Sequence, residues 1–189
     1  MPFVDVVGTD VHRSGVACAL RWGLARGYDD RHFGPGAAVT REQMATFMAR
    51  LLAKLGVDLP SNPRPAFGDD GGVHERAIDQ LAALGLIQGR DDGTFGPRDP
   101  VTREQMASFL VRAYKLVTGR DLPAGLAAFS DVGGVHQGAV DALAGKGVAG
   151  GRSDGTFAPR DPVQRRQMTT FLSRFLDLLV EEGRVRAVT

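Results

Sequence analysis

The chain repeats itself every 62 residues, and that periodicity constrains its fold more than any other feature. Met44, Met106 and Met168 stand 62 apart, and the same step links His12, His74 and His136; Phe33, Phe95 and Phe157; Arg41, Arg103 and Arg165; and Arg50, Arg112 and Arg174. Each copy opens on Phe-x-Asp (Phe3/Asp5, Phe67/Asp69, Phe129/Asp131). The first copy holds two more residues between this mark and its histidine, an insertion that belongs in a loop. With joints at Leu59 to Ala66 and Gly119 to Ala127, the copies run 1–58, 59–120 and 121–189.

Each copy reads as helix, long loop, helix. In the second, a helix starting near His74 places Ala77, Ile78, Leu81 and Leu84 at spacings of three and four, then stops at Gly85. Glycine and proline punctuate the loop that follows, with short extended pieces expected around Leu86-Ile87 and Thr94-Phe95. Thr102-x-x-Gln105 then forms a capping box, and Thr40/Gln43 repeat it. Behind these caps lie three apolar faces: Met106, Phe109, Leu110, Ala113 and Val117; Met44, Phe47, Met48, Leu51 and Leu55; and Met168, Phe171, Leu172, Phe175 and Leu179. A unit of about 60 residues buries only a modest core by itself, so the three are expected to stack into one all-α bundle.

Composition removes several function classes. The 23 basic residues nearly match the 22 acidic ones, leaving no electrostatic case for binding nucleic acid. No apolar run reaches the roughly 20 residues of a membrane span, so insertion is not expected. The first residues lack the basic and apolar regions of a signal peptide, so a place outside the cell implies a mature form or a fragment. Cys18 is the only cysteine, which excludes an internal disulfide and a cysteine-rich zinc site; it reads as a small buried apolar residue. The polar tail Glu181 to Thr189 is expected to fray.

The stretch from Gly89 to Met106 carries the functional signal. Arg103, like Arg41 and Arg165, takes the first helical position, where the helix dipole disfavours a cation by about 0.3–1 kcal/mol. A guanidinium beside free helix amides would suit a carboxylate or phosphate. The residues alone leave a second reading open, in which each arginine pairs with Asp30, Asp92 or Asp154 or points into water. The loop lacks the Gly-Lys-Ser/Thr end of a phosphate loop and the alternating ligands of a calcium loop. Three histidines repeated in register invite a zinc reading, yet each stands at a helix start where a capping or packing role is ordinary, so no metal or other cofactor is expected. No nucleophile, acid or base stands out, and no catalytic residue is assigned.

Together, Phe-x-Asp-Val (Phe129 to Val132), the histidine at the helix start, Gly-x-x-Asp-Gly-Thr-Phe-x-Pro and Thr-Arg near Met resemble the S-layer homology repeat, three times over. Thr102 to Ala107 and Phe109 to Arg112 resemble the variety found in high-GC Gram-positive bacteria. The resemblance implies one pseudo-threefold, three-pronged domain of helix-loop-helix repeats. It also implies a non-catalytic anchor at the cell surface that binds an anionic, often pyruvylated, secondary cell-wall polysaccharide in grooves between repeats and holds a fused or associated surface protein. The family's motif arginine matches Arg41, Arg103 and Arg165, and its loop residues match Gly89, Asp92 and Gly93 in the second copy and Gly151, Asp154 and Gly155 in the third. The family's Trp after the histidine is replaced by Arg13, Glu75 and Gln137; Arg31 replaces a loop glycine in the first copy; and Gln164-Arg165-Arg166-Gln167 loses the threonine cap in the third. One or two working grooves are expected, with Arg103 foremost and the second copy most intact. The rival function is a protein-interaction or self-assembly module.

Overall fold

The computed structural model describes residues 2–185. It holds six helices: α1 (Arg13–Arg21), α2 (Arg41–Lys54), α3 (Glu75–Ala83), α4 (Arg103–Thr118), α5 (Gln137–Gly145, entered through a 3-10 turn at Gly134–His136) and α6 (Arg165–Glu181). The expected apolar faces of α2, α4 and α6 form the core, with Leu55 and Val117 at its edge. The α3 stop falls where expected, followed by Gly85 at φ 69°. The fold is all-α.

Helices pair across the copies, not within them. The second helix of each copy packs on the first helix of the next, giving the pairs α2–α3 and α4–α5, and α6 returns to α1. One side-chain bond marks each pair. His74 Nδ1 meets Thr46 Oγ1 at 2.7 Å, His136 meets Ser108 Oγ at 2.8 Å, and His12 meets Thr170 Oγ1 at 2.8 Å. The three histidines therefore sit in three separate helix pairs.

A backbone ring joins the pairs. Val101 N donates to Val39 O at 2.9 Å, Val163 N to Val101 O at 2.8 Å, and Val39 N to Val163 O at 2.9 Å, with all three side chains buried. The extended pieces lie here, as isolated bridges Thr40–Pro100, Thr102–Pro162 and Ala38–Gln164, and not at Leu86-Ile87 or Thr94-Phe95. Those expected pieces instead close tight turns, as in Arg90 N to Thr94 O at 2.8 Å.

The Phe-x-Asp marks fasten each loop. Asp69 accepts from Phe95 N and Gly96 N at 2.8 and 2.9 Å, Asp131 from Phe157 N and Ala158 N at 2.9 and 2.8 Å, and Asp5 from Phe33 N and Gly34 N. Phe67 lies against Phe95, with ring centroids 5.2 Å apart, and a Cβ on Gly89 would fall 2.5 Å from the Phe67 ring. Phe129 closes on Gly151 in the same way.

Two smaller expectations change. Cys18 is half-buried, not enclosed. The tail is held at its start, because Glu182 accepts from Tyr114 Oη at 2.6 Å and lies 3.6 Å from Lys146 Nζ; the remainder of that expectation falls on residues 186–189, outside the described residues.

Candidate functional site

The helix starts that suggested an anion site are already occupied. Arg103 N donates to Asp161 O at 3.0 Å and Glu104 N to Pro159 O at 3.0 Å, while Gln105 N is taken by Thr102 Oγ1 at 3.3 Å. The starts of α2 and α6 repeat the first two bonds onto Asp99 O and Pro97 O and onto Ala37 O and Pro35 O. Free amides are therefore not what these helices offer. In the third copy Gln164 stands in for the threonine, with Gln164 N bonded to Gln167 Oε1 at 3.1 Å and Gln164 Oε1 accepting from Arg166 Nε.

The arginines also do something neither sequence reading anticipated. Arg103 Nε donates to Phe157 O at 2.6 Å and Nη2 to Gly150 O at 2.9 Å; Arg41 makes the same pair to Phe95 O and Gln88 O, and Arg165 to Phe33 O and Arg26 O. Each guanidinium thus grips the loop of the next copy by its carbonyls and stacks on its phenylalanine, at 4.4 Å for Arg41 and 4.5 Å for Arg103. Charge-assisted hydrogen bonds of about 1.5–3 kcal/mol outweigh the unfavourable dipole term. Burial lowers the pKa of all three arginines from its ordinary value. The guanidinium group stays charged in proteins.

The loop aspartates turn inward on their own segments. Asp92 Oδ1 accepts from Thr94 N and Oγ1 at 2.9 and 2.7 Å, and Asp154 does the same for Thr156. Gly93 and Gly155 make the turn possible at φ 81° and 83°. Arg31 cannot easily adopt that conformation, so the first loop turns differently: Asp29 accepts from Arg31 N and His32 N at 2.7 Å. That loop also exchanges an ion pair for a stacked ring. Arg90–Asp99 and Arg152–Asp161 are bridged in the other copies, whereas the first has Tyr28 and Ala37, with Tyr28 4.4 Å from the Arg165 guanidinium.

A groove of about 460 Å³ opens where these parts meet, between the third loop and the α6–α1 pair. Its lining draws on all three copies: His12 from the first, Arg103 from the second, and Gly151, Arg152, Asp154 and Arg174 from the third. A ranking of whole copies therefore does not become a ranking of grooves. Of the residues expected from sequence, Arg103, Gly151 and Asp154 come together here; Arg41, Gly89, Asp92 and Gly93 serve the second loop, Arg165 the first, and Gly155 the turn behind the groove.

Arg174 is the residue that sequence reasoning passed over. Its counterparts are tied to backbone, Arg50 Nη1 to Leu24 O at 3.3 Å and Arg112 Nη1 to Leu86 O at 3.1 Å, whereas Arg174 lines the groove. The threefold recurrence of an arginine beside an apolar face was the available signal. Burial holds the pKa of nearby His12 below its usual range; Asp10 opposes the shift, and Arg166, Arg174 and Arg103 add to it.

A model of the S-layer homology domain matches residues 2–45, 66–107 and 128–169, more than half of the sequence. The chain belongs to the S-layer homology domain family. As three S-layer homology repeats it is a cell-wall anchoring module, with a place at the cell surface. It is 30% identical over 164 residues to cell surface glycoprotein 1 of Acetivibrio thermocellus, covering 80% of this chain and 7% of that protein. It is 36% identical over 97 residues to the S-layer protein sap of Bacillus anthracis, covering 51% of this chain and 11% of that protein. A cellulosome-anchoring protein of Acetivibrio thermocellus is 29% identical over 159 residues, covering 80% and 35%. The stretch matched by this chain thus spans a minor share of each relative. No helix of the described residues is long and apolar enough to cross a membrane.

Proposed function

We propose that this module holds a surface protein to the cell wall, without catalysis, by binding an acidic secondary cell-wall polysaccharide in the groove lined by Arg103, Arg152 and Arg174. The observation that carries this reading is the groove's composition: three guanidinium groups against Asp154, the only carboxylate in the lining, with His12 and Phe171 beside them. Arg152 is paired with Asp161 and Arg103 with loop carbonyls, so Arg174 is the cation with most freedom to meet a ligand carboxylate.

Arg41, Arg103 and Arg165 take a modified role in this proposal. They fix the loops whose backbone forms the groove walls, and Arg103 adds its charge to one groove. Gly89, Asp92, Gly93, Gly151, Asp154 and Gly155 shape the same loops. The copies bounded at 58/59 and 120/121 are units of sequence recurrence, and the binding unit is the closed ring of three. Pull-down on purified wall polysaccharide, before and after chemical removal of its acidic substituents, tests the reading. Retention that disappears with those substituents supports it; equal retention of both preparations rejects it. Self-assembly as the main role would appear instead as mass that rises with concentration in light scattering.

A further inference from the structure

Each clamp arginine holds one loop residue by its carbonyl. Arg165 Nη2 donates to Arg26 O at 2.8 Å, Arg41 Nη2 to Gln88 O at 3.1 Å and Arg103 Nη2 to Gly150 O at 2.9 Å. Residues 26, 88 and 150 stand 62 apart and are held by the same bond, so a side chain there leaves each loop from an equivalent point. Two copies carry a long polar residue at it, exposed in both, and the third carries glycine.

The arginine on the following helix behaves differently in the third copy. Beside Arg26, Arg50 Nη1 donates to Leu24 O at 3.3 Å, and beside Gln88, Arg112 Nη1 donates to Leu86 O at 3.1 Å. Arg26 stands near enough to Arg50 for its charge to be felt: burial first, then Arg26, lowers the Arg50 pKa. In the third copy the guanidinium takes the space of the missing side chain. A Cβ on Gly150 would fall 2.9 Å from Arg174 Nη1, closer than a real Cβ stands to a neighbour. Gly150 and Arg174 both line the groove. Gly150 is not among the glycines with left-handed backbone, so what it contributes here is room and not conformational freedom.

We propose that Gly150 is the positioning residue that frees Arg174 and so confines recognition of the acidic ligand to one groove of three. The identity of the ligand rests on the polysaccharide reading above. In the other two copies the side chain of Arg26 or Gln88 fills the space into which a guanidinium would swing. Arg50 and Arg112 then stay on loop carbonyls, where their charge serves the fold.

The test has two arms on the intact protein. The first uses no glycan: phenylglyoxal, an arginine-selective reagent, is applied and the modification rate of each arginine is read by peptide mass spectrometry. Arg174 should react about tenfold faster than Arg112, fall to the Arg112 rate in Gly150→Gln, and fall part of the way in Gly150→Ala, which covers the case that Gln disturbs the loop. Gln88→Gly should raise the Arg112 rate. The second arm titrates an acidic oligosaccharide, released from purified wall polysaccharide by partial hydrolysis, into each protein in a calorimeter. Wild type should take up one equivalent, and Gly150→Gln should bind about tenfold more weakly. Two or three equivalents in wild type, or arginine rates that none of these substitutions changes, overturn the proposal. No uptake at all by wild type rejects the polysaccharide reading, and the modification rates then still decide whether Gly150 sets the position of Arg174.

Discussion

Arg165, at the start of the last helix, donates from Nε to the carbonyl oxygen of Phe33 in the first loop at 3.0 Å, across 132 residues of chain. This bond, with Nη2 to Arg26 O at 2.8 Å, closes the ring that Arg41 and Arg103 build one step at a time. Arg165 is only 4% exposed, and its grip uses the fork geometry of a guanidinium. Replacing Arg165 by Met should cost about 2–4 kcal/mol in denaturant unfolding, and Lys should recover little of it. An unchanged midpoint for either variant would show that the clamp adds nothing to stability.

Asp70 is the misfit of the Phe-x-Asp marks. It takes the position held by Val6 and Val132, is buried, and leaves Oδ2 without a hydrogen-bond partner among the described residues. Burial first, with Asp79 next, raises its pKa. Asp70→Val should therefore stabilise the fold by about 1–3 kcal/mol, read as a higher melting temperature. A lower one would mean that the carboxylate has a partner or a role.

Ala158 occupies the position of Gly34 and Gly96 and shares their left-handed backbone, at φ 55° against 72° and 68°. An alanine there carries a steric cost that glycine avoids. Ala158→Gly should gain about 1 kcal/mol despite the added freedom of the unfolded chain, moving the melting temperature up by roughly 2–4 °C.

Low pH should open the loops. Backbone amides of Phe95 and Gly96 hold the Asp69 carboxyl below its usual range, and those of Phe157 and Ala158 do the same for Asp131. A depressed folded value means that the stabilisation is complete above the unfolded carboxylate pKa of about 3.9 and is lost as the pH falls through the lower folded value. Asp70 acts with the opposite sign, since its cost is relieved on protonation. Melting temperature followed from pH 6 to pH 2 should fall at the acid end, and less steeply in Asp69→Asn. Parallel curves would remove Asp69 from the acid transition.

The fold was more legible in the sequence than the site. The register of 62 residues, the Thr102 and Thr40 caps and the apolar faces are local patterns, and local patterns survive in one dimension. Arg103 stands out in the sequence as a cation at a helix start, but its partners Phe157 O and Gly150 O are backbone atoms of another copy, and nothing in residue identity announces a carbonyl. The same holds for Asp161 O and Pro159 O, which consume the amides that looked free. Arg174 differs from Arg50 and Arg112 only in what its guanidinium meets, a difference set by the neighbouring chain path.

The most direct test of the central claim compares Arg174→Ala with Arg112→Ala by calorimetric titration with purified wall polysaccharide. Arg112 is the counterpart tied to Leu86 O, so it controls for a lost charge at the same repeat position. The cationic-groove reading predicts affinity at least tenfold weaker for Arg174→Ala at unchanged melting temperature, and affinity near wild type for Arg112→Ala. Equal affinities for Arg174→Ala and wild type would contradict it.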